Sequence, residues 1–300
     1  MMDFLLNSNF TFEPRLGFKW KLKGNQTLTM GVGVHSRHEP ISFYMAELKQ
    51  EDGSVTQPNR NLGLTKAWHN VIGYDIFIKP DFHIKTEAYY QHLFNIPIDD
   101  DPVSRESILN YNVGITHVPQ SNEGTGNNYG LEITMEKFFT ENYYFMITGS
   151  LYESKYKPAD GHTYNTLYNG NYIANFLAGK EIILGKRDQN LIGFNTRLLL
   201  KGGNRTTPIL LEESINAGYT VRDMDRWMEK KVTDFFRWDA GAYFRNNRPA
   251  FSWIVSLDIQ NVTNRQNIYN SYYNPGEQNI QYIYLLGIIP ILNFRIEFGH

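Results

Sequence analysis

The sequence predicts an all-β fold, an antiparallel transmembrane β-barrel wall of about eleven strands. Large apolar and polar residues alternate with a period of two in one segment after another, as in strands with one apolar and one polar face. Short turns and long polar loops follow these segments in strict alternation, as in outer-membrane barrels. Since no helix is predicted to cover the apolar faces, a lipid bilayer is one partner that fits them.

The end of the chain shows this alternation most clearly. In 251–260 the odd positions are large and apolar, and the even ones include Ser252, Ser256 and Asp258. Polar turn formers follow at 261–264, and 292–298 alternates again. These two segments are predicted to form the last pair of strands.

The rest of the chain repeats the pattern. Strands are predicted at 16–22, 28–34, 62–79, 84–91, 129–139, 143–151, 172–184, 192–201 and 236–245. Short turns are predicted at 23–25, 79–81, 140–142, 185–188 and 246–248, and long loops at 39–61, 99–126, 158–170, 205–231 and 265–279. Because each antiparallel strand reverses direction, all the long loops should emerge at one end, which we expect to be extracellular.

The alternation also assigns side chains to the two faces of the sheet. One set is predicted to face lipid: Leu198, Phe236, Phe244, Trp253, Leu257 and Phe294. The other set is predicted to face the barrel lumen: Arg197, Arg237, Asp239, Arg245, Asp258 and Arg295. Trp20, Trp238 and Trp253 fit an aromatic girdle.

The composition limits which other folds and partners are compatible with the sequence. The chain has 300 residues, 20 Tyr and 19 Phe, no Cys, and a formal net charge of −2, which gives no reason to expect a nucleic-acid partner. Its longest nearly apolar run, 282–292, is about 11 residues, whereas a transmembrane helix needs about 20. A soluble β-sandwich or propeller is the alternative fold, but a propeller should repeat a blade motif and none is found.

The strand count predicts the extent of the barrel. Single-chain bacterial barrels have an even number of strands, so about eleven strands predict the C-terminal half of a barrel of about 22 strands. Residues 1–300 would then be one part of a single barrel domain. The first residues lack a signal-peptide pattern, so we expect the native N-terminus to lie upstream.

Several segments, in order and spacing, resemble the TonB-dependent outer-membrane receptors of Gram-negative bacteria, in the subfamily with a carboxypeptidase-regulatory-like domain and a plug before the barrel. The segments are EPRLG at 13–17, KTEAYYQ at 85–91, GLEIT at 130–134, NYYF at 142–145, GNRTTP at 203–208, DFFRWD at 234–239, SLDIQNVTNRQN at 256–267 and PILNFRIEF at 290–298.

The resemblance implies energy-coupled uptake of a bulky nutrient across the outer membrane. It also implies that Phe298 is the terminal aromatic residue read by the barrel-assembly machinery, although Gly299 and His300 follow it here. Outer-membrane lipid and, through plug and TonB-box segments outside this sequence, the TonB complex would be partners. A surface lipoprotein is left open as a further partner. No cofactor is implied.

A ligand site is predicted in the long loop before position 232. The segment 221–231 reads as a helix-like insert with Arg222, Arg226 and Trp227, residue types that often carry binding energy. The alternative for Trp227 is packing within the loop.

The sequence gives little support for a metal site, a phosphate-binding site or a catalytic site. His35, His38 and Glu39 lack the spacing of known zinc sites, and the glycines at 124–126 and 202–203 lack the context of a phosphate cradle. No nucleophile–base set of a hydrolase can be assembled, so the chain is predicted not to be an enzyme. The resemblance implies an energy-coupled receptor, and the alternative function is a passive channel or structural barrel without energy coupling. An iron chelate, an oligosaccharide, a peptide or a cobalamin-like ligand would each suit the receptor.

Overall fold

A computed structural model describes residues 10–110, 116, 118–185 and 189–298. Within them the chain is dominated by eleven long antiparallel strands in one sheet. They are β1 Arg15–Lys21, β2 Gln26–Arg37, β3 Thr65–Lys79, β4 Phe82–Asp99, β5 Gln120–Thr140, β6 Tyr143–Lys157, β7 Tyr172–Leu184, β8 Asn190–Lys201, β9 Phe235–Asn247, β10 Phe251–Gln260 and β11 Ile289–Phe298. Each pairs with the next in chain order, so the predicted strand number and meander topology are confirmed.

The register places the two sets of alternating side chains on opposite faces of this sheet. Leu198 lies opposite Trp238 and Val255 opposite Phe294 on one face, which we call the apolar face. Arg197 lies directly opposite Asp239 on the other, the polar face. The six residues predicted to face lipid share the apolar face, and the six predicted to face the lumen share the polar face.

Large side chains on the apolar face are open to the surroundings. Leu131, near the middle of the sheet, is 57 % exposed, and Phe294 is 65 % exposed. These side chains therefore need an apolar environment that the described residues do not supply. The helices in the described parts of the chain are too short or too polar to cross a membrane.

The short turns lie at one end of the sheet, the turn end. Between β5 and β6 the chain reverses through Glu141 and Asn142, whose φ angles of 52° and 64° match a two-residue hairpin turn of type I′. The turn predicted at 246–248 lies about two residues later, because Asn246 and Asn247 pair with β10 as strand residues. Residues 186–188 of the turn predicted at 185–188 lie outside the described residues.

Long connections leave the opposite end, the loop end, as predicted. They are L1 (38–64), L2 (100–119), L3 (158–171), L4 (202–234) and L5 (261–288).

The largest error concerns the loop predicted at 99–126, since β5 begins at Gln120. A Cβ on Gly124 would lie 2.5 Å from Cγ2 of Ile98 and 2.7 Å from the backbone oxygen of Ile96. Gly124 therefore permits the shifted register there and is not a loop residue.

The loops contain short elements of their own. They are the α-helices Ile41–Tyr44 and Leu211–Ala217, the 3₁₀ turns Pro58–Asn61, Ile108–Asn110 and Met224–Arg226, the strand pairs Leu48–Lys49 with Val55–Thr56, Arg205–Thr206 with Lys230–Lys231, and Ile268–Asn274 with Asn279–Tyr284, and the strand Tyr164–Asn165 beside β6.

The segment 221–231, predicted to be helix-like, contains the 3₁₀ turn Met224–Arg226 and the short strand Lys230–Lys231, and the α-helix of L4 lies earlier. Val221 accepts a hydrogen bond from the backbone N–H of Leu210, and Arg222 bridges to Ile209. This pairing holds the start of the segment extended.

The buried core lies at the loop end. Phe43 of L1 packs with Ile96 of β4 and Ile108 of L2, and these three residues are at most 8 % exposed. Tyr44 forms a second cluster with Leu62 and Leu64. The loops are thus folded onto the strands at the loop end of the sheet.

Candidate binding site at the loop end

Side-chain hydrogen bonds join the loops to one another. Asn59 of L1 is fully buried, its Nδ2 donates to the backbone oxygen of Val118 in L2 at 3.0 Å, and its Oδ1 accepts from the N–H of Gln120 at 2.8 Å. The donor of this amide thus binds L2, and its acceptor binds the first residue of β5. A buried amide satisfied in this way fixes L1 against L2.

Tyr156, in β6 at the loop end, joins two of the loops to the sheet. Its hydroxyl donates to the backbone oxygen of Arg105 at 2.7 Å and accepts from Asn110 Nδ2 and Trp227 Nε1, each at 2.8 Å. The side chain is 1 % exposed. L2 and L4 are therefore held to the sheet through one phenol group.

L3 and L4 meet backbone to backbone. A Cβ on Gly202 would lie 1.9 Å from the backbone oxygen of Gly170, so both positions require glycine. Arg205 closes the contact, donating from Nε to the backbone oxygen of Asn169 at 2.9 Å and from Nη2 to Asn171 Oδ1 at 3.0 Å.

The structure separates the three residues predicted to contact ligand. Trp227 is 9 % exposed and lies inside the loop contact described above. Arg222 is half-buried and donates to Thr207 and Ser271 backbone oxygens, at 2.8 and 3.2 Å, so it ties L4 to L5. Arg226 is exposed and pairs with Glu229 at 2.8 Å. Arg226 is thus the member of the three whose position leaves it open to a ligand, and ligand contact by each of them stays a prediction.

Sequence reasoning missed the residues that build this assembly. Asn59, Tyr156, Asn169 and Arg205 lie in polar segments, and nothing in their spacing distinguishes them from solvent-exposed loop residues. Asn169 is nonetheless fully buried and accepts from the N–H of Ser154 at 3.1 Å. A sequence feature that could have indicated a folded loop here is the high density of Asn and Gly around 165–171.

A charged cluster lies beside Tyr156. Arg105 is 3.5 Å from Asp160 and 3.9 Å from Asp225, and its guanidinium lies 5.8 Å from the ring centre of Tyr164. Burial, with a smaller contribution from the charge of Asp99, raises the pKa of Glu106 to about 7. A carboxyl group therefore changes charge near neutral pH inside the loop assembly.

This shift predicts a pH dependence of L2. In the closed loop Glu106 keeps its proton up to the raised pKa of about 7, whereas in the open loop it ionises at the ordinary pKa of 4.5. The closed loop is therefore most stable below pH 4.5, and its stability falls as the pH rises from 4.5 to 7. The slope is at most about 1.4 kcal/mol per pH unit. Hydrogen exchange of L2 amides, corrected for intrinsic rates, should report it. Glu106→Gln should flatten the dependence, whereas Glu51→Gln, at an exposed loop tip, should not; an unchanged slope in Glu106→Gln would contradict this assignment.

The polar face continues the charged character towards the turn end. Ion pairs join Lys85 to Glu87 at 2.7 Å and Arg237 to Asp239 at 2.9 Å. Arg245 is 3.1 Å from Glu297. Asp258 lies opposite Gly241 on the same face. Such a wall can attract and guide a polar solute by its fixed charges.

The histidines considered for metal binding have structural partners. His35 and His69 meet edge to face with ring centres 4.6 Å apart. Glu39 is buried and accepts from Thr65 Oγ1 at 2.5 Å. Within the described ranges no group of three or more His, Asp or Glu side chains is arranged to hold a metal ion.

Phe298 ends β11 at the turn end, opposite Phe251 on the apolar face, and is 76 % exposed. Its proposed role as an assembly signal stays a prediction. Gly299 and His300 lie outside the described residues.

Comparison with solved structures identifies the class of fold, the barrel wall of large outer-membrane receptors and transporters. The similar structures include BauA, the ferric preacinetobactin receptor from Acinetobacter baumannii, with a TM-score of 0.60, 12 % identity, and coverage of 95 % of this chain and 36 % of that chain. The outer membrane transporter YddB from Escherichia coli has a TM-score of 0.59, 10 % identity, and coverage of 97 % and 41 %. Fiu, a ferric-catecholate import receptor of Escherichia coli K12, has a TM-score of 0.56, 15 % identity, and coverage of 94 % and 34 %.

The chain therefore spans 34 to 41 % of the length of these three structures. No protein-family model matches the chain. No curated protein matches it either. At such low identity the likeness establishes the fold.

Proposed function

We propose that the chain is part of the barrel of an outer-membrane receptor that takes up a bulky nutrient by TonB-dependent, energy-coupled transport. The observation that carries this proposal is the assembly of L1 to L4 into one folded body above a charged sheet face. A receptor needs loops held in a defined arrangement to recognise a ligand. A general pore has no need for loops joined in this way.

The fold supports the same proposal. The apolar face, open over all eleven strands, suits outer-membrane lipid, and the polar face suits a lumen. Arg197, Arg237, Asp239, Arg245 and Asp258 would then line the transport path. BauA is a ferric preacinetobactin receptor and Fiu a ferric-catecholate import receptor, so an iron chelate is one substrate class that we propose for this chain, and an oligosaccharide is another.

The extent of the barrel and its partners belong to the same proposal. In the described residues β1 and β11 each pair with a single strand, and an open edge in lipid leaves backbone groups unsatisfied. We therefore propose that these strands are the C-terminal part of a larger barrel closed by further strands. The barrel-assembly machinery, reading Phe298, and the TonB complex, acting on a plug, would be its partners, and a surface lipoprotein would be a further one.

Two measurements on the full-length protein in cells test this function. Uptake of ⁵⁵Fe-loaded catecholate chelates and of a labelled oligosaccharide is expected to be saturable and to stop when TonB is deleted. A passive channel, the alternative function, would give non-saturable uptake that persists without TonB, together with steady conductance in planar bilayers. That result would overturn the proposal.

Topology is tested separately by labelling single cysteines in this cysteine-free chain. Glu51→Cys in L1 and Met224→Cys in L4 should react with a membrane-impermeant maleimide on intact cells. Glu141→Cys and Arg248→Cys, at the turn end, should react only after the outer membrane is permeabilised. The reverse pattern would invert the barrel and remove the loop assembly from the cell surface.

A further inference from the structure

Lys180 interrupts the apolar face of β7. The register places it opposite Tyr143 of β6 and Phe194 of β8. Its side chain is exposed and forms no ion pair or hydrogen bond with the described residues. An uncompensated ammonium group on a face otherwise suited to lipid requires an explanation.

Lys137, the neighbouring lysine on the apolar face, differs from Lys180 because its charge has a partner. Its ammonium group lies 2.7 Å from Asp81 and 4.3 Å from the ring centre of Tyr143, and the residue is 8 % exposed. This charge is neutralised within the protein. Lys180, on the other side of Tyr143, has no such partner among the residues that the structure describes.

Lys180 also lies at the end of a trench. An open apolar trench of about 680 Å³ crosses β6, β7 and β8. Its floor is low where Ala178 and Thr196 pair across the strands. Larger side chains of the apolar face border it, namely Phe145, Ile147, Phe176 and Phe194. Lys180 is the lining residue of β7 nearest to the turn.

The trench therefore has an apolar lining along its length and a cation, Lys180, at its turn end. Aromatic side chains mark the same end of the apolar face, where Phe244 and Trp253 have ring centres 5.3 Å apart, as at a membrane interface. The flexible stem of a lysine allows its ammonium group to reach the polar headgroups from this depth. Charge and shape together match an amphiphile with an acyl chain and an anionic head.

We propose that this trench is a binding site for an anionic phospholipid of the periplasmic leaflet, with one acyl chain over Ala178 and Thr196 and the phosphate at Lys180. The inference rests on the proposed function, because it requires the apolar face to lie in lipid and the turn end to be periplasmic. The lipid would neutralise the Lys180 ammonium group and fill the trench between β6 and β8.

Native mass spectrometry of the full-length protein in mild detergent tests the site. Phosphatidylglycerol and phosphatidylcholine with identical chains are titrated separately, and their dissociation constants are compared. The wild-type protein should bind phosphatidylglycerol about five-fold more tightly, as expected for one basic residue near an anionic headgroup. Lys180→Gln should abolish this preference, and Lys180→Arg should retain it.

Ala178→Phe should weaken the binding of both lipids, because the new ring fills the floor of the trench while the charge remains. Lys19→Gln, on the polar face of β1, should change neither constant. A wild-type protein without preference, or a preference that survives in Lys180→Gln, would overturn the phosphate site. Unchanged binding in Ala178→Phe would overturn the trench. Heat-modifiable migration confirms the assembly of every variant before comparison.

A separate readout distinguishes failure of this site from failure of the proposed function. A nitroxide on Leu198→Cys, at the apolar face of β8, should be accessible to oxygen and protected from a water-soluble nickel chelate. If it is, and the lipid preference is absent, the site is refuted while the membrane placement stands. If the nitroxide is open to the chelate, the membrane placement itself fails, and this inference fails with it.

Discussion

Replacing Trp227 by alanine is expected to release L4 from the loop assembly while leaving the sheet intact. The indole is 9 % exposed, and its N–H donates to the buried Tyr156 hydroxyl at 2.8 Å. Truncation removes the packing of a large side chain and one hydrogen bond, at a cost of about 3 to 5 kcal/mol. Because strands β8 and β9 pair along their whole length, this cost should fall on loop closure. Trypsin cleavage after Lys230 or Lys231, in the pairing with Arg205–Thr206, should accelerate accordingly.

The adjacent residue provides the matched control. Arg226 is exposed and its pair with Glu229 is exposed as well, so Arg226→Ala should leave loop closure nearly unchanged. Trp227→Phe keeps most of the apolar contact but loses the N–H donor. Because the Tyr156 hydroxyl keeps its bonds to Arg105 and Asn110, a smaller cost of about 0.5 to 1.5 kcal/mol is expected for the one lost hydrogen bond.

These variants also decide between the two interpretations of Trp227. If Trp227→Ala weakens ligand binding only as far as it opens L4, the residue acts by packing. If it abolishes binding while cleavage at Lys230 stays slow, the residue contacts ligand and the predicted site is right. Equal cleavage rates in Trp227→Ala and Arg226→Ala would contradict the role of Trp227 in the loop assembly.

The wall of the fold could be predicted because its signal is local. The alternation in 251–260 defines which side chains share a face, and the partner strand must match it, since a one-residue slip would exchange the faces. The pairing of Val255 with Phe244 and Phe294 follows from that constraint. The error at 120–126 has a local cause as well, because Gly124 and its polar neighbours resemble a loop, although they pair with β4.

The loop assembly could not be predicted in the same way. Trp227 is buried where L2 and L4 meet β6, because L2 and Trp227 both form hydrogen bonds with the Tyr156 hydroxyl group. The donors and the acceptor are separated by many residues in the chain and leave no periodic pattern. The close contact of Gly170 with Gly202 is equally non-local. Sequence reasoning located the loops and identified the residue types suited to binding, but which of them would be exposed depended on how the loops pack.

Moving a charge onto the apolar face at the middle of β10 is expected to destabilise the full-length protein in lipid, whereas the same charge one residue later is expected to be tolerated. Val255 is 38 % exposed and lies between Phe244 and Phe294. Arginine at this position would place its guanidinium in hydrocarbon, which costs about 2 to 4 kcal/mol near the bilayer midplane. Ser256 faces Tyr243 and Asn293 on the polar face, where an arginine can remain hydrated. Urea unfolding in phospholipid vesicles should therefore give a lower unfolding free energy for Val255→Arg than for Ser256→Arg. Equal costs would contradict the membrane placement, and a greater cost for Ser256→Arg would mean that the two faces are assigned the wrong way round.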